Sequence, residues 1–295
     1  MKLHRIPSTV RRAAIGATIL LAAVPATAAA GRSPSVTCGS VVTSDIRLTA
    51  DLDCPGPGLV IGADGVRIDL GGHTLSGPGD GVGIDGNGGF DRFTIRNGTI
   101  SGFLHGIDLV ETDHGRIVQV VVTGNGRGIN ISRSIGMEVD RVVIDGNRFD
   151  GLSVAFSEHT TVRRSAITGN GVSGINELAS LDSTYDRDVV VDNDLHGITV
   201  SQSEGLTIAR TEASGNGGDG IDLGFWAFGA TLDGNGTSGN GADGIGIDEA
   251  GSSIRRHTAH GNAGIGIAAA AGTTDGGRNR ASGNGGGDCT NVACG

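Results

Sequence analysis

Lysine is nearly absent from this chain of 295 residues: Lys2 is its sole copy, and none follows it. Beyond residue 30 all positive charge is arginine, 18 residues against 32 Asp and Glu, a net of −14 (18 − 32). A chain so acidic lacks the positive footprint that nucleic acids and anionic membrane surfaces require, which excludes both as partners. Aromatic residues are almost as scarce, at 3%, with one Trp and one Tyr. Together with 55 glycines this is the composition of many disordered chains, yet Ile, Val and Leu recur here with a regularity that disorder does not produce. Long apolar runs are missing except at the start. There Lys2, Arg5, Arg11 and Arg12 precede an apolar stretch over 13–24 that Pro25 breaks, and Ala26-Thr27-Ala28 or Ala28-Ala29-Ala30 offers a small-residue cleavage site. A membrane span needs roughly 20 apolar residues. The segment 1–30 therefore reads as a signal peptide, and 31–295 as one secreted domain without membrane insertion.

Cysteine is limited to four residues, two at each end of that domain. An even count in an exported chain points to disulfides, and the pairings nearest in sequence are Cys38 with Cys54 and Cys289 with Cys294. They close an amino-terminal cap over 31–57 and the carboxy-terminal end over 285–295, the two places where a stacked array frays.

What the chain has in abundance is a repeat. Its clearest copies are Gly215-Asn216-Gly217-Gly218-Asp219-Gly220-Ile221-Asp222-Leu223 and Gly239-Asn240-Gly241-Ala242-Asp243-Gly244-Ile245-Gly246-Ile247. With the glycine before the first apolar residue as anchor, copies fall at Gly58, Gly81, Gly106, Gly128, Gly151, Gly174, Gly197, Gly220, Gly244 and Gly264. The intervals run from 20 to 25 residues, most of them 22–24. A fixed period of this size means one supersecondary unit per repeat, each burying its neighbour's apolar face. In Gly-Ile-x-Ile the two isoleucines face inward and the residue between them outward, which is a short strand. Two further apolar groups follow in each unit, as in Val162 and Ala166-Ile167. The expected fold is thus all-β, a parallel β-helix of about ten coils of 22–24 residues with three short strands each. Asn125, Asn147, Asn170, Asn193, Asn216, Asn240, Asn262 and Asn284 hold one turn position, where amides can stack and where a left-handed backbone is tolerated. The Gly-x-Gly-x-x-Gly matches at 169–174, 215–220 and 239–244 each lead into a strand rather than a helix, so they are turns and not nucleotide loops.

The repeat, with Cys38-Gly39, Leu52-Asp53-Cys54 and the run from Ala63-Asp64-Gly65-Val66-Arg67-Ile68-Asp69-Leu70 to Gly71-Gly72-His73-Thr74-Leu75-Ser76-Gly77, resembles exported bacterial right-handed parallel β-helix proteins of the pectin-lyase-like superfamily. The resemblance covers nearly all of 31–295 and implies the right-handed coil. That superfamily includes lyases, hydrolases, epimerases, copper-site maturation factors and proteins of no known activity. Its polygalacturonase motifs Asn-Thr-Asp, Gly-His-Gly and Arg-Ile-Lys are absent, as is the Asp-Pro-His-Asp of alginate epimerases. No intact catalytic motif of the family's known enzymes is present.

Three rows of residues, each one coil apart, carry whatever chemistry there is. Immediately before the anchor glycine stand Arg127, Asp150, Ser173, His196, Asp219 and Asp243. Stacking sets Ser173, His196 and Asp219 side by side, the residue types of an activated nucleophile, against the plainer reading of a polar turn position. Asp219 with Asp243 can hold calcium; no other cofactor is implied. Six residues before the turn asparagines stand Arg141, Arg164, Arg187, Arg210, Arg256 and Arg278, with Gly234 interrupting. They read either as a track for an anionic polysaccharide or as partners of neighbouring acids. The outward row of the Gly-Ile-x-Ile strand holds Asp108, Asn130, Asn176 and Asp222, with Phe225, Trp226 and Phe228 just beyond. Small polar groups beside aromatic rings suit sugars. The expected function is a monomer that binds polysaccharide or a cell-surface glycan without chemistry of its own; the alternative is a lyase or glycoside hydrolase acting on an acidic glycan.

Stacked coils make a direct test. Ile198→Asp would bury an unpaired charge between neighbours and should cost several kcal/mol. Thermal unfolding of that variant measures it, and an unchanged midpoint refutes the inward assignment.

Overall fold

Each repeat is one turn of a three-sided solenoid. In the computed structural model, which describes residues 36–295, the strand Ile198–Ser201 lies between its copies Ile175–Leu178 and Ile221–Leu223, parallel and in register. The segment read as a signal peptide lies outside the described residues. The first face is a sheet of twelve such strands, from Val41–Val42 to Gly287–Thr290, hence eleven turns between first and last. The second face holds the strands of the kind Thr207–Ala209, the third those of the kind Glu212–Ser214. Thr94–Ser101 and Arg116–Thr123 run unbroken round the corner between these two faces and so join them, but every strand still pairs only with the copy one coil away. At about 4.8 Å per coil the stack is ~50 Å long.

Two anchors move. Leu59 pairs with Ile84 and Ile84 with Ile107, which makes Gly83 the anchor rather than Gly81; Ile245 pairs with Ile267, which makes it Gly266 rather than Gly264. Both errors come from Gly-x-Gly sequences, where a slip of two residues leaves the same side chains facing inward. With Gly266 the interval from Gly244 becomes 22, and the 20-residue outlier disappears. The anchors must be glycine because the coils touch there: a Cβ on Gly197 would lie 2.5 Å from the Gly220 carbonyl oxygen, and one on Gly244 2.4 Å from that of Gly266. The expected count of about ten coils holds, the eleventh coming from the disulfide-bonded cap, where Val41–Val42, Ile46–Arg47 and Leu52–Asp53 make a coil of their own, and Gly287–Thr290 adds a last strand. The bonds Cys38–Cys54 and Cys289–Cys294 are formed as expected.

The interior is aliphatic, but three columns of polar side chains run through it at the corners. The turn asparagines form the first: Oδ1 of Asn193 accepts both the backbone N–H and the amide N–H of Asn170, at 3.0 and 2.9 Å, and the same double bond links each asparagine from Asn125 to Asn284 to the next. The left-handed residue is not the asparagine but the one before it, glycine at seven of the eight turns and Asp192 at the other. A second column, Ser134, Ser157, Ser180 and Ser203, accepts N–H groups at 3.1–3.2 Å. A third, Ser165, Asp188, Thr211, Asn235, His257 and Asn279, does the same with mixed chemistry.

One coil departs from the aliphatic rule. Glu177 stands in register with Val154 and Val200, and Tyr185 with Val162 and Ile208, so both point inward and the Tyr185 hydroxyl donates to Glu177. Burial raises the Glu177 carboxyl above the usual range and pushes nearby Asp188 up to about 7. Groups whose folded pKa is raised hold their protons in the native state, so their contribution is complete below the unfolded pKa and is lost as pH rises through the folded one. The unfolding midpoint should therefore drop between about pH 4 and 8, and the drop should shrink in Glu177→Gln combined with Asp188→Asn. An equal drop in that variant would place the pH dependence elsewhere.

Candidate functional site on the first face

The outward residues of the first face form a polar strip along the axis. Asp108, Asn130, Ser153, Asn176, Thr199 and Asp222 are in register one coil apart. Asn130 donates to Asp108 at 2.8 Å and Thr199 to Asp222 at 2.8 Å, so the strip is pre-ordered. Phe225, Trp226 and Phe228 all face solvent, Trp226 at 53% exposure, and Phe225 stacks on Trp226 at 4.5 Å and 20°. The small Ala227 takes the inward position instead. Phe156 and Leu178 are exposed along the same edge, and Leu104, Phe149 and Leu195 along the opposite one. That second rim was not read from the sequence, although its signal is there: an apolar residue two positions after the turn asparagine at Phe149 and Leu195.

The row before the anchor glycines assembles differently from its sequence reading. Ser173 is buried at 1% exposure, its N–H donates to Asp150 at 3.3 Å, and no hydrogen bond joins it to His196 among the described residues. The nucleophile relay of Ser173, His196 and Asp219 is therefore not assembled. His196 Nδ1 accepts the Asp219 N–H at 3.1 Å and lies 3.4 Å from its carboxylate. Asp243 turns its carboxylate to the Ile265 N–H at 2.6 Å while its own N–H donates to Asp219 at 2.6 Å, so it is a link in the stack. Among the described residues His196, Asp219 and Asp222 form a group of three whose ligand atoms all lie within 4.8 Å of one another. One nitrogen and two carboxylate oxygens suit a transition metal better than calcium. The Asp219 side chain, and then Asp222, raise the His196 pKa against its burial, and burial raises that of Asp222. The signal for this trio was one coil length from His196 to Asp219 and an outward strand position three residues on.

The arginine row is mostly neutralised. Arg164 donates to Asp140 at 2.6 Å, Arg141 lies 3.7 Å from the same carboxylate, Arg187 and Arg210 share Asp186, and Arg256 with Arg255 holds Asp233. The Arg256 and Arg255 guanidiniums pull Asp233 down to about 2. All six row arginines have a left-handed backbone, φ from 52° to 62°, which the residue type did not foretell. Gly234, at φ 67°, is the one member of the row with the usual residue for that geometry.

A family model described as the right handed beta helix region matches residues 80–237, more than half of the chain, and the protein belongs to that family. Among solved structures it is similar to the A-module of the mannuronan C-5 epimerase AlgE6 of Azotobacter vinelandii, at TM-score 0.66 and 17% identity over 84% of this chain and 73% of that one. The AlgE4 A-module of the same organism gives 0.57 and 16% over 77% and 80%, and the pectate lyase Pel9A 0.50 and 12% over 88% and 72%. These are likenesses of fold. No curated protein sequence matches.

The contact between His196 and Asp219 is open to measurement. The imidazole should titrate above its ordinary 6.5, and Asp219→Asn should lower that value. An NMR titration that finds the same pKa in both proteins would show that the two groups do not interact.

Proposed function

We propose that the protein binds a polysaccharide lengthwise along its first face, as an extracellular monomer. The observation that carries this is the pairing of an ordered polar strip with exposed apolar rims on both edges, on a flat sheet parallel to the solenoid axis. Asp108, Asn130, Asn176 and Asp222 supply hydrogen bonds to successive sugars, while the stacked pair of Phe225 and Trp226 covers an apolar sugar face. Two disulfides are compatible with life outside the cell. The arginine row supports this reading by default, because guanidiniums already held by Asp140, Asp186 and Asp233 have little charge left for a polyanion.

A second reading rests on His196, a half-buried imidazole between two carboxylates on the same strip. Such a group can move a proton at a bound sugar, as a lyase or glycoside hydrolase requires. The enzymes of like fold are compatible with it. Incubation with a panel of neutral and acidic polysaccharides separates the two: binding without new reducing or unsaturated ends supports the first, and ends that vanish in His196→Gln support the second. For the binding face itself, Trp226→Ala should weaken affinity several-fold with little change in folding. Arg210→Ala should act slightly and mainly at low salt. The reverse pattern would move the glycan to the arginine row.

A further inference from the structure

The arginine row changes character at its carboxy-terminal end. Seventeen arginines lie between residues 36 and 295, and fourteen of them have a carboxylate within ion-pairing distance. The other three are Arg148, which lies 5.4 Å over the Phe149 ring, and Arg278 and Arg280. In a protein of net charge −14 (18 − 32 beyond residue 30) two adjacent arginines without an acid are an exception. The reason is local. The acids that serve the row, Asp140, Asp186 and Asp233, come every second coil, and at the next place the chain has Gly276-Gly277. Asp275, three residues before Arg278, is already occupied: its Oδ1 accepts the Gly277 N–H at 2.8 Å and the Asn279 amide at 3.0 Å, and its Oδ2 the Ala293 N–H at 2.8 Å.

These two arginines line a groove. Arg256, Arg278, Arg280 and Thr258 border a depression of about 740 Å³, and Thr258 continues it into a second of about 240 Å³ that reaches Arg210 and His260. The floor of the second exists because one coil lacks side chains. Gly234 replaces the row arginine, and Gly236, which pairs with Thr258 and so stands in the column that leads to Arg280, replaces the outward residue of the third face. A Cβ at either glycine would meet nothing within 4 Å. Arg256 and Arg210 are held by Asp233 and Asp186, so the positive charge of the groove is that of Arg278 and Arg280, and Thr258, in register with Arg280 one coil before it, adds a hydroxyl.

We infer that the groove at Arg278 and Arg280 on the third face binds an oxyanion, as free sulfate or phosphate or as a sulfate, phosphate or carboxylate group of a larger ligand. Guanidiniums match such oxygens with paired, charge-assisted hydrogen bonds, and among the described residues no carboxylate lies within ion-pairing distance of these two. The groove faces away from the polar strip of the first face, so the inference stands whether or not a polysaccharide binds there.

The test is calorimetric titration of the intact protein with sodium sulfate, sodium phosphate and sodium acetate at constant ionic strength. Saturable binding of at least one anion is expected, with the preference among the three showing which oxyanion the groove favours. Arg278→Gln combined with Arg280→Gln should weaken it at least tenfold, and Gly236→Val, which fills the floor without changing charge, should also weaken it. Arg148→Gln and Trp226→Ala should leave it unchanged. No saturable binding to any anion, or equal affinity in the double variant and the native protein, would overturn the inference. Circular dichroism of each variant shows that the coil stack is intact.

Discussion

Everything in this fold depends on what accepts the backbone N–H groups at the corners. Along each face the N–H of one coil meets the carbonyl of the next, as in any parallel sheet. At a corner the chain turns, and a buried N–H with no carbonyl in reach would be costly. The protein meets this with an inward side chain from the next coil, an amide in the asparagine column, a hydroxyl in the serine column and a mixture in the third. The bonds run in one sense along the stack, so each coil is completed by its successor. The asparagine column does so with two bonds per link, and the amide also reaches a backbone carbonyl of the preceding coil, as from Asn193 to Ile167.

That constraint divides the residues into those that hold the stack and those that vary. Inward positions and corners admit aliphatic or small polar side chains, and the anchor glycines admit nothing larger because a Cβ would strike the next carbonyl. Chemistry is confined to the outward rows, where neighbours 22–25 residues apart in sequence stand one coil apart in space. Charge is arranged there in alternation: Asp140, Arg163 and Asp186 succeed one another in register on the second face, and each acid draws in row arginines from its own or the next coil. Glu177 and Tyr185 are the exception to the division. They place an acid and a phenol in the aliphatic interior, where the Tyr185 hydroxyl donates to one Glu177 oxygen and burial raises both groups' pKa, so the coil that carries them is sensitive to pH.

Much of the scaffold was legible in the sequence because it is local. Apolar residues two apart set which side chains turn inward, the interval of 22–24 residues sets the length of a coil, and Gly-Asn marks a corner. From these come the all-β parallel solenoid and the stacked asparagines, and from the four cysteines at its ends the closure by disulfides. Other features were decided by the stack. A strand repeats every two residues, so Gly81 and Gly83, or Gly264 and Gly266, are equivalent until neighbouring coils select one. Ser173 and His196 share a row yet no hydrogen bond joins them among the described residues; the Ser173 N–H goes to Asp150 instead. His196 instead meets the Asp219 N–H and, with it, Asp222. The fate of each row arginine likewise turns on whether an acid in its own or a neighbouring coil is free, which Asp233 is for Arg256 and Asp275 is not for Arg278. Pattern within a coil thus determined the fold, while contacts between coils, which depend on register and on side chains more than twenty residues away, decided the surface chemistry.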